Sequence, residues 1–476
     1  MIVGASGDLA QRKIVPALFA LYCQGLLPED FHIYGLARTP MGHREFREKL
    51  AMHLTCRYVP GESCAAKTES FLGRCYYTAG QYGAKDAYLD LFQQMTAVEG
   101  RGAVNRLFYM AVPPSVFLEV AGALGDSGLV ACGSREEWSR VVIEKPFGRD
   151  RASSDHLVRE MGKVFTEEMT YRIDHYLGKE IIQNLMVLRF ANLVFEPIWN
   201  RDYVENIRIS WKEPIGVGQR GGYFDPFGIV RDVMQNHLLQ ILALLAMEKP
   251  SAYNAAAVRD AKVNLLRCIE PPAPEDVCTG QYAASGRGPA YAEEPSVPAG
   301  SLTATYAAAV LRIHHPRWQG VPVFLEAGKA MNERINEVRM RFKPVPGNLF
   351  DHRADPVAAN ELVIRIQPDE AITLKVMNKT PGLDLKLEQT ELNLRYRTAF
   401  DEEIPDAYEC LLLDVIEGDR NLFIRSDELA AAWDIFTPVL KTLEEQRVVP
   451  ERYPFGGGRP VAAERLARRN GMELAG

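Results

Sequence analysis

The chain has 476 residues, too many for one ordinary core, so two domains are expected. Its 55 lysines and arginines against 62 aspartates and glutamates give a formal charge of −7. With both signs spread along the chain, that argues against a dedicated nucleic-acid binder. The 8 cysteines form no C-x-x-C pair and no metal-like cluster with histidine, and read as reduced thiols of a cytosol-like compartment. The longest apolar stretch, 238–247, is broken by Gln240 and is too short to span a bilayer, so no membrane partner is expected. A cytoplasmic location follows as the expectation. Met1-Ile2-Val3 reads as a strand stub, which leaves room for upstream residues and an organelle-targeting segment among them.

The first element is that strand end. Gly4-Ala5-Ser6-Gly7-Asp8-Leu9 turns sharply, and 14–22 has helical apolar spacing. Strand, glycine turn and helix together present backbone N–H groups to a pyrophosphate, and glycine lets the phosphates approach. The spacing is G-x-x-G rather than the commoner G-x-G-x-x-G. The second strand, 31–37, ends in Arg38, where an acidic residue would take ribose hydroxyls. A cation there suits a 2′-phosphate, so the expected cofactor is NADP. A third strand, 105–112, stops at Pro113. A fourth, 141–143, feeds Glu144-Lys145-Pro146-Phe147-Gly148, which puts Lys145 at the mouth of the sheet, facing substrate or nicotinamide.

Arg172 to Glu180 gathers a carboxylate, an imidazole, a phenol and an ammonium. On a helix His175 and Lys179, four apart, share a face and can grip one ligand, and both suit a phosphate. Asp174 faces another partner.

After about residue 200 the period changes to two. Strands are expected at 204–211, 338–343, 362–367, 372–377 and 392–396, forming a half-buried, mainly antiparallel sheet. Val338, Met340 and Phe342 share one face; Arg339, Arg341 and Lys343 share the other. A long apolar helix covers 228–247, and another begins near Ser426. In the first, Asp232 and His237 lie about 140° apart on an α-helix, able to border one cleft without stacking. A lone histidine in such a helix is more often a satisfied core residue. The Pro-, Gly- and Ala-rich stretch 271–300 reads as an exposed excursion. The fold class is therefore an α/β Rossmann-type dinucleotide-binding domain, 1–172, followed by a larger α+β domain, 173–476.

Gly4 to Ala10, the Glu-Lys-Pro-Phe-Gly of 144–148, the Arg-Ile-Asp-His-Tyr-Leu-Gly-Lys-Glu of 172–180, Gly-Gly-Tyr-Phe-Asp with Arg-Asp-Val-Met-Gln-Asn-His at 231–237, and Gly-Lys-Ala-Met-Asn-Glu-Arg at 328–334 occur in that order. The chain closely resembles the glucose-6-phosphate dehydrogenases over nearly its whole length. The resemblance implies oxidation of glucose 6-phosphate at C1 to 6-phosphogluconolactone with hydride transfer to NADP, the first oxidative step of the pentose phosphate pathway. It makes His237 the general base and Asp174 the group that orients it. His175, Tyr176 and Lys179 hold the 6-phosphate. Glu213 and Asp232 take sugar hydroxyls, with Lys145, Lys329, Arg334 and Gln367 around the sugar. Gly4, Ala5, Ser6, Gly7, Asp8, Leu9, Lys13, Arg38, Ala111, Pro113 and Lys145 serve the coenzyme. It implies no metal, and a homodimer or homotetramer assembled through the second domain's sheet. Some members carry a second, structural NADP. Here Arg339, Arg365 and Lys375 keep cations for it, but Ile335 and Thr373 replace a lysine and a tyrosine, so one firmly held NADP is expected. The alternatives weighed are another Rossmann sugar oxidoreductase and a non-catalytic NADPH sensor.

Overall fold

The computed structural model describes residues 1–59, 61–99, 104–130, 137–350 and 357–474. It falls into two compact units. The first comprises Met1–Lys179, Tyr253–Arg259 and Ile404–Ala430; the second comprises Glu180–Ala252, Asp260–Glu403 and Ala431–Gly476.

The first unit is built on six parallel strands: β1 (Ile2–Val3), β2 (Ile33–Ala37), β3 (Cys75–Ala79), β4 (Arg106–Met110), β5 (Ser139–Glu144) and β6 (Thr170–Ile173). Their order is β3-β2-β1-β4-β5-β6. All five residues of β2 are buried, which is why the central strands read as continuous apolar runs rather than as alternation. Reversal of the order at β1 and β4 opens a crevice beyond the carboxyl ends of the strands, where ligands of such sheets bind. A late segment completes this core. Helix Ala407–Glu417 starts at Asp406, whose side chain accepts the Tyr408 N–H at 2.9 Å, and stops at left-handed Gly418. It sends Leu411, Leu412 and Val415 into the cluster that also contains Phe19, Tyr109 and Tyr171.

Cys56 and Cys64 are joined by a disulfide, their Cα atoms 5.8 Å apart. That corrects the expectation of thiols throughout: a spacing of eight residues carries no metal or redox motif, yet the fold brings the pair within bridging reach. Cys23, Cys75, Cys268, Cys278 and Cys410 are not in disulfides, and Cys132 lies outside the described residues.

The second unit carries the larger sheet: β7 (Val204–Lys212), β8 (Ile269–Glu270), β9 (Val277–Ala283), β10 (Tyr306–Ile313), β11 (Val323–Gly328), β12 (Ile335–Phe342), β13 (Glu361–Gln367), β14 (Ala371–Lys379), β15 (Leu387–Arg395) and β16 (Glu451–Pro454). The order is β15-β14-β13-β12-β7-β11-β10-β9-β16, with β8 pairing β10. Most pairs are antiparallel; β7 with β11 and β9 with β16 are parallel. Val338, Met340 and Phe342 are buried while Arg339 and Arg341 stay partly exposed, as the alternation requires.

Two expectations for this unit change. The stretch 271–300 is only in part an exposed excursion: most of 284–300 is exposed or half-buried, while β9 runs inside the sheet between β10 and β16. Buried Tyr282 anchors it, donating its hydroxyl to Glu294 at 2.9 Å and accepting the Val217 N–H at 3.0 Å. Small residues around it hid the strand. The helix at 228–247 is composite: Val230–Leu238 is π-helical and Leu239–Ala246 continues it as α-helix. Among the described residues no helix is long and apolar enough to cross a membrane.

Candidate active site

On the first unit the ligand edge begins at Gly4. Its φ is +90°, and a Cβ there would lie 2.2 Å from the Ala111 carbonyl oxygen, so only glycine fits between the ends of β1 and β4. The Gly4 N–H donates to Leu36 O at 2.7 Å and the Gly7 N–H to Gly4 O at 2.9 Å, closing the turn in which Ala5 and Ser6 lie. Helix follows from Asp8 and Leu9, with a π-helical turn at Ala10–Ile14. A glycine turn leading into a helix start after a parallel strand is the layout that receives the pyrophosphate of a dinucleotide. Arg38, exposed just past β2, lays its guanidinium 5.1 Å from the Tyr82 ring centroid. Lys13 pairs with Asp406 at 3.1 Å. Ala111 and Pro113 follow β4, and Lys145 follows β5 through a cis peptide to Pro146. Arg38, Ala111, Pro113 and Lys145 thus follow the carboxyl ends of strands of one parallel sheet, while Lys13 lies on the helix after β1.

Past β6 the structure departs from the helix expected at 175–179. Residues 175–178 form a tight turn, and helix begins only at Glu180. The cause is local. The Asp174 carboxylate accepts the Tyr176 N–H at 3.0 Å, and the Leu177 N–H closes back onto Asp174 O at 3.0 Å. Gly178 then slides under Ala407, where a Cβ would meet the Ala407 oxygen at 2.5 Å. Asp174 and Tyr176 are buried, and His175 and Lys179 half-buried. The Lys179 ammonium sits 5.2 Å from the Tyr176 ring centroid. The His175 imidazole stacks on Tyr408 at 6.2 Å and 7°.

In the second unit the parallel strands β7 and β11 end together, with Lys212 opposite Gly328. The next residues, Glu213 and Lys329, meet: the ammonium is 2.7 Å from the Glu213 carboxylate. It is also 3.6 Å from Asp232. Trp211 and Phe224 flank it at 5.1 and 5.3 Å. The turn holding Lys329 is tied on several sides. Its N–H donates to Thr305 O at 2.9 Å, and its carbonyl accepts the Tyr453 hydroxyl at 2.7 Å. Behind it lies a buried ion cluster. Glu326 accepts from Ser210 at 2.8 Å and Tyr306 at 2.9 Å, with Lys212 at 3.5 Å and Arg459 at 3.3 Å. Burial alone would push the Glu326 carboxyl up, but Lys212, Arg459 and the Ser210 hydroxyl outweigh it and hold it at about 2.

His237 is 3% exposed on the π-helical segment. Because i→i+5 bonding replaces i→i+4 there, Asp232 and His237, five apart, come closer to one face than the 140° of an α-helix. The Asn236 amide also closes a five-residue step, donating to Arg231 O at 3.0 Å.

Lys329, Glu213 and Asp232 are thus brought together. Arg334 and Gln367 are exposed at the margin. Strand register sets Gln367 opposite Asn336 and Asn336 opposite Trp211, so Gln367 stands two strands away from Trp211. Arg339 and Lys375 are already engaged by Glu361, at 3.0 and 3.2 Å, along with Arg208 at 2.7 Å.

Residues with no evident motif also line the site. Trp211 and Phe224 flank Lys329, and Tyr109 and Tyr408 face Glu144. An Asp before an apolar helical run could have flagged the start of the helix bearing Tyr408. Nothing local could have shown which side chain its ring meets.

The strand order 3-2-1-4-5-6, with a glycine turn and cations along its carboxyl edge, is that of the dinucleotide-dependent oxidoreductases. Comparison with known proteins narrows the class. Residues 1–184 match the model of the glucose-6-phosphate dehydrogenase NAD binding domain, and residues 186–475 match that of the C-terminal domain. The chain is 50% identical over 476 residues to glucose-6-phosphate 1-dehydrogenase 1, chloroplastic, of Arabidopsis thaliana, covering 98% of this chain and 82% of that protein. It is also 50% identical to the Dictyostelium discoideum glucose-6-phosphate 1-dehydrogenase, covering 99% and 94%. A solved glucose-6-phosphate dehydrogenase in complex with its substrate glucose-6-phosphate superposes with a TM-score of 0.92 at 40% identity, covering 100% of this chain and 98% of that one. The chain belongs to the glucose-6-phosphate dehydrogenase family. It is an NADP-dependent enzyme that oxidises glucose 6-phosphate at C1 to the phosphogluconolactone.

Proposed function

We propose the following division of the chemistry among residues. Residues 1–172 serve the coenzyme, and 173–476 serve the sugar and assembly. His237 is the general base. As the C1 hydroxyl loses its proton to the imidazole, the C1–H bond breaks, its electron pair leaves as hydride, and C1=O forms. Asp174 orients that imidazole and stabilises its cationic form, a role carboxylates take behind catalytic histidines. Family membership and the residue types support this pairing. Glu213 and Asp232 accept sugar hydroxyls, and Lys329 keeps both carboxylates in place. His175, Tyr176 and Lys179 take the 6-phosphate, with Lys145, Arg334 and Gln367 around the sugar.

NADP, when bound, supplies the hydride acceptor. The Gly4–Leu9 turn and helix start receive its pyrophosphate, Arg38 its 2′-phosphate, and Lys13, Ala111, Pro113 and Lys145 the remainder. The observation that carries the sugar assignment is the Lys329 ammonium 2.7 Å from Glu213, beside Asp232, at the paired ends of β7 and β11.

The test is Lys179→Ala, assayed with glucose 6-phosphate and with free glucose by NADPH absorbance. KM should rise for the phosphorylated sugar alone. An equal rise for both sugars would remove Lys179 from the phosphate grip.

The subunits pair through the large sheet into a homodimer or homotetramer. Support comes from β15, which exposes Leu392 and Leu394, 61% and 37% accessible, beside Leu374. Light scattering of a Leu392→Asp variant reads it out. Location is proposed as cytoplasmic with an organelle alternative, which the chloroplastic names of the plant relatives support and cell fractionation decides.

A further inference from the structure

Glu144 ends β5 immediately before Lys145, and two phenols address it. The Tyr109 hydroxyl on the neighbouring strand β4 donates to its carboxylate at 2.6 Å. The Tyr408 hydroxyl, from helix Ala407–Glu417, bonds it as well. Both tyrosines are buried. The charged groups facing Glu144 are the adjacent Lys145 ammonium and the Asp174 carboxylate beyond β6. Tyr408 has a second contact, since its ring lies parallel to the His175 imidazole, 6.2 Å away and 7° from coplanar. The position of Tyr408 is itself set, because its N–H is held by the Asp406 side chain at 2.9 Å. One carboxylate therefore sits where β4, β5 and a distant helix converge, next in sequence to the lysine and linked to the histidine through the Tyr408 ring.

We propose that Glu144 is a positioning residue of the substrate grip: clamped by Tyr109 and Tyr408, it holds the Lys145 ammonium in place and, through the Tyr408 ring, fixes the plane of the His175 imidazole. This rests on the assignment of Lys145 and His175 to substrate. A carboxylate with two hydroxyl donors keeps a fixed geometry, and an ammonium beside it is drawn to one place rather than sampling its rotamers. A ring stacked on an imidazole leaves its edge nitrogens to the ligand. Burial pushes the Glu144 carboxyl up to about 7, against the pull of the Tyr109 and Tyr408 hydroxyls and Lys145. The clamp is thus charged above neutrality and uncharged below it, and substrate affinity inherits that dependence.

The experiment is a pH series of kcat/KM and KM for glucose 6-phosphate on the full chain with NADP. Four variants are compared: Glu144→Gln, Tyr109→Phe, Tyr408→Phe and Tyr408→Leu. Glu144→Gln should raise KM about fivefold at pH 8 and lose the dependence near pH 7. Tyr109→Phe removes a donor that favours the ionised form, so the same limb should move to higher pH. Tyr408→Leu, which loses both hydroxyl and stack, should raise KM about fivefold above Tyr408→Phe, which loses only the hydroxyl. A merely structural role would move none of the limbs. Superimposable pH profiles for parent, Glu144→Gln and Tyr109→Phe would overturn the proposal, and so would equal KM for the two Tyr408 variants. The two Phe variants keep the packing, so the readout survives if Glu144→Gln does not fold. His175→Ala separates the levels. If it leaves KM unmoved, the phosphate-grip assignment itself fails. If it raises KM while Tyr408→Leu does not, the assignment stands and only the clamp falls.

Discussion

The Lys329 ammonium stands 2.7 Å from the Glu213 carboxylate and 3.6 Å from that of Asp232. One cation therefore offsets two acids in a partly buried setting walled by Trp211 and Phe224. Remove it and the two carboxylates repel each other. Lys329→Ala is expected to lower kcat/KM for glucose 6-phosphate by roughly ten- to a hundredfold, as loss of a charge-assisted contact would. Lys329→Arg should recover only part, because a planar guanidinium does not match a point ammonium. Steady-state kinetics with saturating NADP checks both.

His237→Asn keeps a planar polar side chain but cannot take a proton. Turnover should fall on the order of a hundredfold or more, with little change in sugar affinity. Asp174→Asn should also slow turnover, and the double variant should be far from additive, since a base and its orienter act as one unit. Near-normal kcat for His237→Asn, or strict additivity, would contradict the assigned roles.

Arg38 is exposed just past β2, a cation in the place where an acid would take the ribose hydroxyls. Arg38→Ala should weaken NADP by about 1.5–3 kcal/mol, one charge-assisted contact, and leave NAD little changed. Parallel KM measurements for the two coenzymes decide it, and equal losses would point to a general effect on folding.

Glu326 predicts an acid limb of stability. Its carboxyl is held at about 2 against an ordinary 4.5, so the unfolded chain takes up its proton first as pH falls. The contribution is fully present above about pH 4.5 and is lost as pH drops toward 2, in total on the order of 3 kcal/mol. Urea unfolding from pH 6 to about pH 3 should show this slope. Glu326→Gln should be less stable at pH 6, because Lys212 and Arg459 lose their buried counter-charge, and its acid slope should be shallower.

Much of the nucleotide half was legible before any coordinates. A strand stub, a glycine turn and a following helix are consecutive in the chain, and the positive φ at Gly4 is a local demand. Arg38 and Lys145 were found at strand ends because a parallel sheet puts every strand end on one edge. Alternation over 338–343 and 362–367 located β12 and β13 because the pleat has a period of two.

Tertiary packing decided the rest. Residues 175–178 satisfy their backbone through the Asp174 side chain, and Gly178 is pinned under Ala407, so the turn wins over the helix suggested by spacing. β9 lay hidden in a Pro- and Gly-rich stretch because only its neighbours, β10 and β16, make it a strand. Cys56 and Cys64 look unremarkable in sequence and meet only once folded. Glu213 and Lys329 are 116 positions apart, and Glu144 finds Tyr408 on a helix beyond residue 400. Periodicity and capping report interactions a few residues apart. Which distant side chains meet is set by how whole layers stack, and there one contact is chosen by the summed burial of many others.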